Sequence, residues 1–283
     1  MGHTILNKKF KFRSVFISDI HLGFHGCNAD LLLSFLRHVE CEYLYLVGDI
    51  IDIWSLKRKR YWPQNHNNVV RTILGKAKHD TKVIYVPGNH DELLKTYNDM
   101  VFGNITINTK HIHTTVNGKK YLITHGDEFD QVVKYSKWLA KVGSKLYDWL
   151  LSFNSLVTKV RNFFKLNHWS LSAFIKYRVK NAVSYIGSYE EALAYTAQKN
   201  DVDGIICGHI HHPEVSIIKN IEYCNCGDWV ESCTALIEDF DGSIKLIEWG
   251  DLIEMQDQKK QDYVDGRTCL LYTSDAADEV DGV

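Results

Sequence analysis

Five short clusters of the chain contain aspartate, asparagine or histidine side chains of the kind that bind divalent cations. Each cluster follows a run of β-branched or aromatic residues, and such runs favour strands. Carboxylate and amide oxygens mixed with imidazole nitrogens suit Mn²⁺, Fe²⁺ or Zn²⁺ better than Ca²⁺, which prefers oxygen ligands throughout. The sequence therefore predicts a divalent-metal site at strand ends. The candidate ligands are Asp19, His21, Asp49, Asn89, His125, His209 and His211.

The spacing within two of these clusters suggests how cations could be shared. One residue separates Asp19 from His21, and one separates His209 from His211. Alternate residues of an extended segment point the same way, so each pair could bind one cation, or two cations with one member each. Asp49 has two oxygens and no neighbouring candidate, which fits a bridge. Two cations about 3.5–4 Å apart are suited to displacement at phosphorus.

Histidine is common in this chain, which has fourteen, so some histidines must be unrelated to the site. A single Asp or His at a strand end is usually a cap or a solvated side chain, but five clusters in series argue against coincidence. His111 and His113 have the ligand spacing, yet they lie in a run that alternates as strands do. We expect this pair to belong to an ordinary strand.

The elements that must position the clusters alternate between strands and helices. We predict strands over 11–18, 42–47 and 81–86, and helices over 28–39 and 64–78. Residues 105–124 read as further strands with a turn at Asn117-Gly118. A helix over 190–198, a strand over 202–207 and several strands from 215 to 249 complete the core. This alternation predicts an α/β layered domain whose strand ends bring the five clusters together.

The segment 129–190 differs from the core segments 1–128 and 191–255, and we interpret it as an inserted helical lid. Four lysines fall on one stripe of its first predicted helix. Such a helix could lie on an anionic membrane, hold an acidic substrate, or pack on the core with a solvated lysine face. The four lysines are Lys134, Lys137, Lys141 and Lys145.

Composition bounds the remaining properties. The formal charge of −2 and the absence of any motif of a nucleic-acid-binding domain predict no nucleic-acid partner. The seven cysteines form no CxxC pair, and the first residues contain no apolar signal core, so we expect reduced thiols and a cytoplasmic location. Residues 256–283 show no periodic apolar pattern. We expect this tail to be disordered and partly non-native, because 267–279 resemble translated adaptor sequence.

The order of the clusters resembles the signature of calcineurin-like metallophosphoesterases. DxH is followed by GD, then GNHD, then a single His before Gly, and finally GHxH. The resemblance covers roughly residues 13–250. It implies a four-layer αββα sandwich with two divalent metal ions at the strand ends, and it implies hydrolysis of a phosphate ester or anhydride.

Individual roles follow from that resemblance. Asn89 would also contact the phosphoryl oxygens, His90 would stabilise or protonate the departing oxygen, and Asp91 would orient His90. Asp52 stands where purple acid phosphatases carry an iron-binding tyrosine, so that subclass is excluded. The implied ligand sets are Asp19, His21 and His211 for one metal, Asn89, His125 and His209 for the other, and Asp49 between them.

Within the superfamily the chain is most similar to UDP-2,3-diacylglucosamine hydrolases. The segments that carry this likeness include 18–23, 48–54 and 208–213. The likeness implies cleavage of a UDP-linked diacylated sugar to UMP and a lipid monophosphate for lipid A, with Mn²⁺, at the cytoplasmic face of the inner membrane. Family members commonly have Arg where this chain has His90. Three alternatives therefore stay open: hydrolysis of another phosphorylated small molecule, a general phosphodiesterase or nuclease, and a metal-free scaffold of the same fold. The sequence does not determine the oligomeric state.

Overall fold

The computed structural model describes residues 9–130 and 186–252, which form two β-sheets. The seven-stranded sheet has the order β12-β11-β1-β2-β3-β5-β4, and the five-stranded sheet the order β6-β7-β8-β10-β9. The strands of the first sheet are β1 (Phe10–Ile17), β2 (Val39–Val47), β3 (Lys82–Val86), β4 (Met100–Phe102), β5 (Ile105–Ile107), β11 (Thr234–Glu238) and β12 (Ile244–Glu248). Those of the second are β6 (His111–Thr114), β7 (Lys120–Ile123), β8 (Gly204–Cys207), β9 (Glu214–Ile218) and β10 (Ile221–Asn225).

The central strands of both sheets are parallel, which gathers their carboxyl ends. β1, β2, β3 and β5 pair in parallel in the first sheet. β7, β8 and β10 do so in the second. Antiparallel partners flank these strands in both sheets. Residues that follow the parallel strands therefore share one edge of the molecule.

Helices cover the outer faces of the sheets, and the inner faces pack on each other. α1 (Ala29–His38) and α3 (Gln64–Lys78) bury apolar side chains against the first sheet. Residues 186–199 are helical and pack on the second sheet through Tyr189 and Leu193. Phe16 of β1 and Ile123 of β7 belong to the apolar layer between the sheets. The predicted αββα arrangement is therefore confirmed.

The helices form where apolar residues recur at helical spacing. In α1, Leu32, Phe35 and Leu36 are buried, while Asp30 in the first turn and Arg37 in the last complement the helix dipole. The predicted helix 64–78 coincides with α3. Each helix thus presents one apolar stripe to the sheet.

Some elements differ from the sequence-based prediction. β2 begins at Val39 rather than at 42, because α1 ends directly in extended backbone at that residue. The short helix α2 (Ile53–Arg58) and the exposed strand β4 were not predicted. Both are short, and the three β4 residues are exposed and do not alternate, so periodicity gives little signal for either.

The predicted lid is only partly within the described residues. Phe129 and Tyr189, which lie near its two ends, are buried in the core beside the second sheet. The lysine stripe of the predicted lid and the tail 256–283 lie outside the described residues. Among residues 9–130 and 186–252, no helix has the length and apolarity needed to cross a bilayer.

Candidate metal centre

The five clusters predicted from the sequence meet at the shared carboxyl edge of the two sheets. β1, β2 and β3 lead to Asp19, Asp49 and Asn89, while β7 and β8 lead to His125 and His209. Most of the predicted ligands fall into groups whose donor atoms all lie within 4.8 Å of one another. The groups are Asp19–His21–His211, His21–Asp49–His90 and Asp49–His125–His209.

The first group is compact. The Oδ1 atom of Asp19 lies 3.3 Å from Nε2 of His211 and 3.9 Å from Nε2 of His21. The two imidazole Nε2 atoms are 3.4 Å apart. One carboxylate oxygen and two imidazole nitrogens therefore converge on a single point, as a cation requires.

The second group lies on the other side of Asp49. The Oδ2 atom of Asp49 is 3.4 Å from Nε2 of His125, which in turn is 3.3 Å from Oδ1 of Asn89. The rings of His125 and His209 are in edge contact, with centroids 5.1 Å apart. Asp49 also belongs to the group that contains His21. Its carboxylate thus lies between the two sets of donors.

The backbone at the ligands adopts an uncommon conformation. Five of the seven candidates have positive φ, a region that non-glycine residues rarely occupy. Such strain persists only where the surrounding structure enforces it, and it concentrates at functional sites. The five are Asp19 (50°), His21 (55°), Asp49 (54°), His209 (71°) and His211 (52°).

Two glycines allow the backbone to approach the ligands. A Cβ atom added to Gly88 would collide with the carboxylate of Asp49 and the ring of His125. One added to Gly208 would collide with the carboxylate of Asp19. Glycine is therefore required at these two positions by space rather than by φ.

Each carboxylate has one oxygen fixed by the protein. The backbone N–H of His209 donates to Oδ2 of Asp19 (2.9 Å), and that of His90 donates to Oδ1 of Asp49 (2.8 Å). The Oδ1 atom of Asp19 is buried and has no hydrogen-bond partner among the described residues. A buried oxygen without a partner is costly, and a cation at this point would remove that cost. The donor set therefore fits divalent metal ions.

Electrostatics within the cluster favour ionised carboxylates. Burial raises the pKa of Asp49, but hydrogen bonding and attraction from His125 outweigh burial and lower it. Burial lowers the pKa of His125, but the carboxylates of Asp49 and Asp19 outweigh burial and raise it to about 10. Before a cation binds, the cluster therefore holds protons, and cations must compete with them.

Comparison with known proteins gives this arrangement a family. The sequence model of the calcineurin-like phosphoesterase family matches residues 12–213. The chain belongs to that family. It is a metal-dependent phosphoesterase.

Curated relatives of this phosphoesterase include UDP-2,3-diacylglucosamine hydrolases. A UDP-2,3-diacylglucosamine hydrolase of Wigglesworthia glossinidia brevipalpis is 24% identical over 216 residues, covering 74% of this chain and 84% of the relative. One of Psychromonas ingrahamii is 23% identical over 226 residues, covering 77% and 89%. A solved structure described as a novel archaeal phosphodiesterase is 15% identical, with a TM-score of 0.39 over 83% of this chain and 98% of that one.

Two oxygen atoms outside the ligand set contact the imidazoles of His125 and His209. The carbonyl of Val47 lies 3.1 Å from Nδ1 of His125, and Oδ1 of Asp130 lies 2.9 Å from Nε2 of His209. Such partners fix the orientation of metal-binding histidines. Sequence reasoning missed Asp130, because it lies beyond the turn after His125 and outside every motif.

His90 lies beside the metal centre, and each of its ring nitrogens faces a carboxylate. Its Nε2 faces Oδ2 of Asp49 at 3.9 Å, and its Nδ1 lies 2.9 Å from Oδ1 of Asp52. The other oxygen of Asp52 is 3.5 Å from Nδ1 of His21. The ring of Trp54 packs on His90, with centroids 4.3 Å apart. Asp52 therefore touches both a candidate ligand and the candidate acid.

We expected Asp91 to orient His90, but the structure directs its carboxylate elsewhere. Asp91 accepts hydrogen bonds from the hydroxyl of Tyr85 (2.6 Å) and from the backbone N–H groups of Gly88 (2.6 Å) and Ile50 (2.9 Å). It thereby ties the loops after β2 and β3 together. The carboxylate beside His90 is that of Asp52, whose signal in the sequence is an aspartate at the N-cap of α2.

Proposed function

We propose that this phosphoesterase binds two divalent cations and cleaves the diphosphate of UDP-2,3-diacylglucosamine, releasing UMP and a lipid monophosphate. The proposed binding of two cations is supported by two groups of donor atoms that converge with Asp49 between them. The substrate is inferred from the curated relatives, which carry that activity in their names.

The proposed ligand sets follow the two groups. Bound there, the cations would supply Lewis acidity to the phosphoryl group and lower the pKa of water. We favour Mn²⁺, with Fe²⁺ or Zn²⁺ as alternatives, because the donors mix oxygen and nitrogen. The sets are Asp19, His21 and His211 for one cation, Asn89, His125 and His209 for the other, and Asp49 for both.

The remaining residues act on the substrate directly. The amide of Asn89 lies at the centre, where its N–H can donate to a phosphoryl oxygen. A proton on Nε2 of His90 would be within reach of the departing oxygen, while Oδ1 of Asp52 lies 2.9 Å from the opposite nitrogen. The exposed fraction of the His90 side chain is 24%, so a substrate can reach it.

The acyl chains of such a substrate bear on where the enzyme works. Two long acyl chains keep a sugar nucleotide in a membrane surface. We therefore propose that the protein meets its substrate at the cytoplasmic face of the inner membrane, by peripheral contact.

A direct assay tests the substrate. Purified protein with Mn²⁺ is given UDP-2,3-diacylglucosamine in mixed micelles, and UMP is quantified by chromatography, with Asp49→Asn as the inactive control. We expect UMP release that depends on the metal and is absent in the control. No release from this lipid, despite metal-dependent hydrolysis of bis-p-nitrophenyl phosphate, would contradict the substrate.

That second outcome would favour another candidate, a general metallophosphodiesterase or phosphatase. His90 supports this candidate, because the sugar-nucleotide hydrolases that the chain resembles commonly carry Arg at this position. The two functions separate on the ratio of kcat/KM for the lipid to that for bis-p-nitrophenyl phosphate.

A further inference from the structure

A run of four consecutive cationic residues, Lys57–Arg60, lies at the end of α2. All four side chains are exposed. Within residues 9–130 and 186–252, none of them takes part in an ion pair, although other lysines and arginines do. Four adjacent positive charges without a counter-ion are notable in a chain whose formal charge is −2.

The run ends the short helix whose first residues lie beside the site. α2 begins just after Asp52, the carboxylate beside His90, and its second residue is Trp54, whose ring packs on His90. Lys57 and Arg58 follow Trp54 by three and four positions. Side chains at these spacings share one helix face, about one turn apart. The two cations therefore extend the face that touches His90.

Helix stability does not account for the whole run. Cations in the last turn interact favourably with the helix dipole, which covers Lys57 and Arg58. Lys59 and Arg60 lie beyond the helix end, and adjacent like charges repel one another. A bound anion would relieve that repulsion.

We propose that the run Lys57–Arg60 binds a phosphate group of the substrate other than the one that reacts, and that Lys57 and Arg58, which share the helix face of Trp54, make the direct contacts. The run thereby selects molecules with two linked phosphates, of the nucleoside diphosphate class, over monophosphates. Arginine can bind phosphate oxygens through two parallel hydrogen bonds, and lysine adds a point charge. This inference rests on the proposed function, because it assumes that a phosphoryl group lies at the metal centre.

Calorimetric titration of the Mn²⁺-loaded full chain with ADP and with AMP tests the inference without relying on turnover. In the wild type we expect ADP to bind more tightly than AMP. In Lys57→Gln/Arg58→Gln, the ratio of the AMP and ADP dissociation constants should fall at least about tenfold, since hydrogen bonds to charged groups are lost.

The matched control is Arg71→Gln/Lys78→Gln, which removes the same two charges from exposed positions of α3. The ratio should stay as in the wild type. An unchanged ratio in the α2 variant, or an equal fall in both variants, would overturn the inference. Thermal unfolding of each variant confirms that it is folded.

Two further outcomes separate this inference from its alternatives. The α2 variant could lose binding to phosphatidylglycerol vesicles while its ratio of AMP and ADP dissociation constants stays unchanged. The run would then contact membrane, and the inference would be wrong. If the wild type binds ADP selectively through the run but hydrolyses no phosphoester with any divalent cation, the proposed function fails and the diphosphate preference stands.

Discussion

Two clusters of histidine and carboxylate side chains lie in the same pair of sheets, and they differ in how their polar atoms are satisfied. The interior cluster lies between the sheets and consists of Arg13, Ser14, Tyr45, His113 and Glu238. In it, Oε2 of Glu238 meets the hydroxyl of Ser14 and Nε2 of His113 (2.8 Å), and Oε1 accepts from Arg13 (2.7 Å). Tyr45 contacts the remaining nitrogen of His113 at 2.8 Å.

The metal centre has the opposite character. Within residues 9–130 and 186–252, the buried Oδ1 of Asp19 makes no hydrogen bond, although Nε2 of His211 lies 3.3 Å away. The backbone of Asp19, Asp49 and three ligand histidines has positive φ. Ser14, His113 and Glu238 instead lie in regular strands. Similar residue types therefore stabilise the fold where their polar atoms hydrogen-bond to one another. They favour ligand binding where a buried polar atom is left without a hydrogen bond and the backbone is strained.

The largest expected effect comes from the carboxylate between the two donor groups. Replacing an outer partner of a metal ligand typically costs about 10–100-fold in activity or affinity, so Asp49→Asn should lower kcat/KM on bis-p-nitrophenyl phosphate by more than about 100-fold. The melting temperature of the metal-free protein should fall only slightly, because an amide oxygen at this position can still accept from the N–H of His90 and only the attraction to His125 is lost. Unfolding of the variant at 25 °C would show that Asp49 is needed for the fold and contradict the contrast between the two clusters.

His90→Ala should lower turnover most for substrates with a poor leaving group. We expect about 100-fold lower turnover of an alkyl phosphodiester, whose departing oxygen needs a proton, and a much smaller loss for p-nitrophenolate. Asp52→Asn should shift the same ratio in the same direction by less, since its partner ring remains. Equal losses on both substrates would show that His90 does not protonate the departing oxygen.

Asp130→Asn should weaken metal binding without affecting the fold. Because Asp130 holds Nε2 of His209, we expect about tenfold weaker binding of one Mn²⁺ by calorimetry. Glu128→Gln is the control, since Glu128 pairs with the exposed Lys110 and touches no ligand in the described contacts. A control that weakens binding equally would show a general charge effect.

The interior cluster should affect stability alone. Glu238→Gln breaks charged hydrogen bonds from Arg13 and His113, so we expect about 2–3 kcal/mol lower free energy of unfolding in urea, with unchanged kcat/KM for the folded protein. Loss of metal binding in this variant would show that the interior cluster also supports the metal centre, and would contradict the distinction between the two.

The same residue gives a pH dependence. Burial raises the pKa of Glu238, but hydrogen bonds from His113, Ser14 and Arg13 outweigh burial and lower it from 4.5 to about 2. The folded pKa lies below the unfolded value, so the carboxylate stabilises the fold above pH 4.5, and that contribution is lost as the pH falls towards 2. Glu238→Gln should flatten unfolding curves measured across this window.

The sequence predicted the metal centre better than it predicted the surroundings of that centre. Asp19, Asp49 and His125 could be found because each follows a strand, and parallel strands end at one edge. Asp52 and Asp130 could not be assigned, because their roles depend on where a short helix and a turn direct two carboxylates. We expected Asp91 beside His90, where the structure has Asp52, for the same reason.

The fold shows the same limit. The long periodic segment of α3 was predicted with its bounds, since its apolar stripe is complete. The pair His111 and His113 lies on the ordinary strand β6 as expected, but its contact with Glu238 depends on a pairing 125 residues away in the chain. Such long-range partners leave no local pattern.

Removal and return of metal test whether hydrolysis depends on two bound cations. Chelator-stripped protein is titrated with Mn²⁺ while hydrolysis of bis-p-nitrophenyl phosphate is followed. We expect no turnover in the stripped protein and full activity once two Mn²⁺ ions are bound per chain. Turnover that survives stripping, or that fails to appear at any Mn²⁺ concentration, would contradict this dependence.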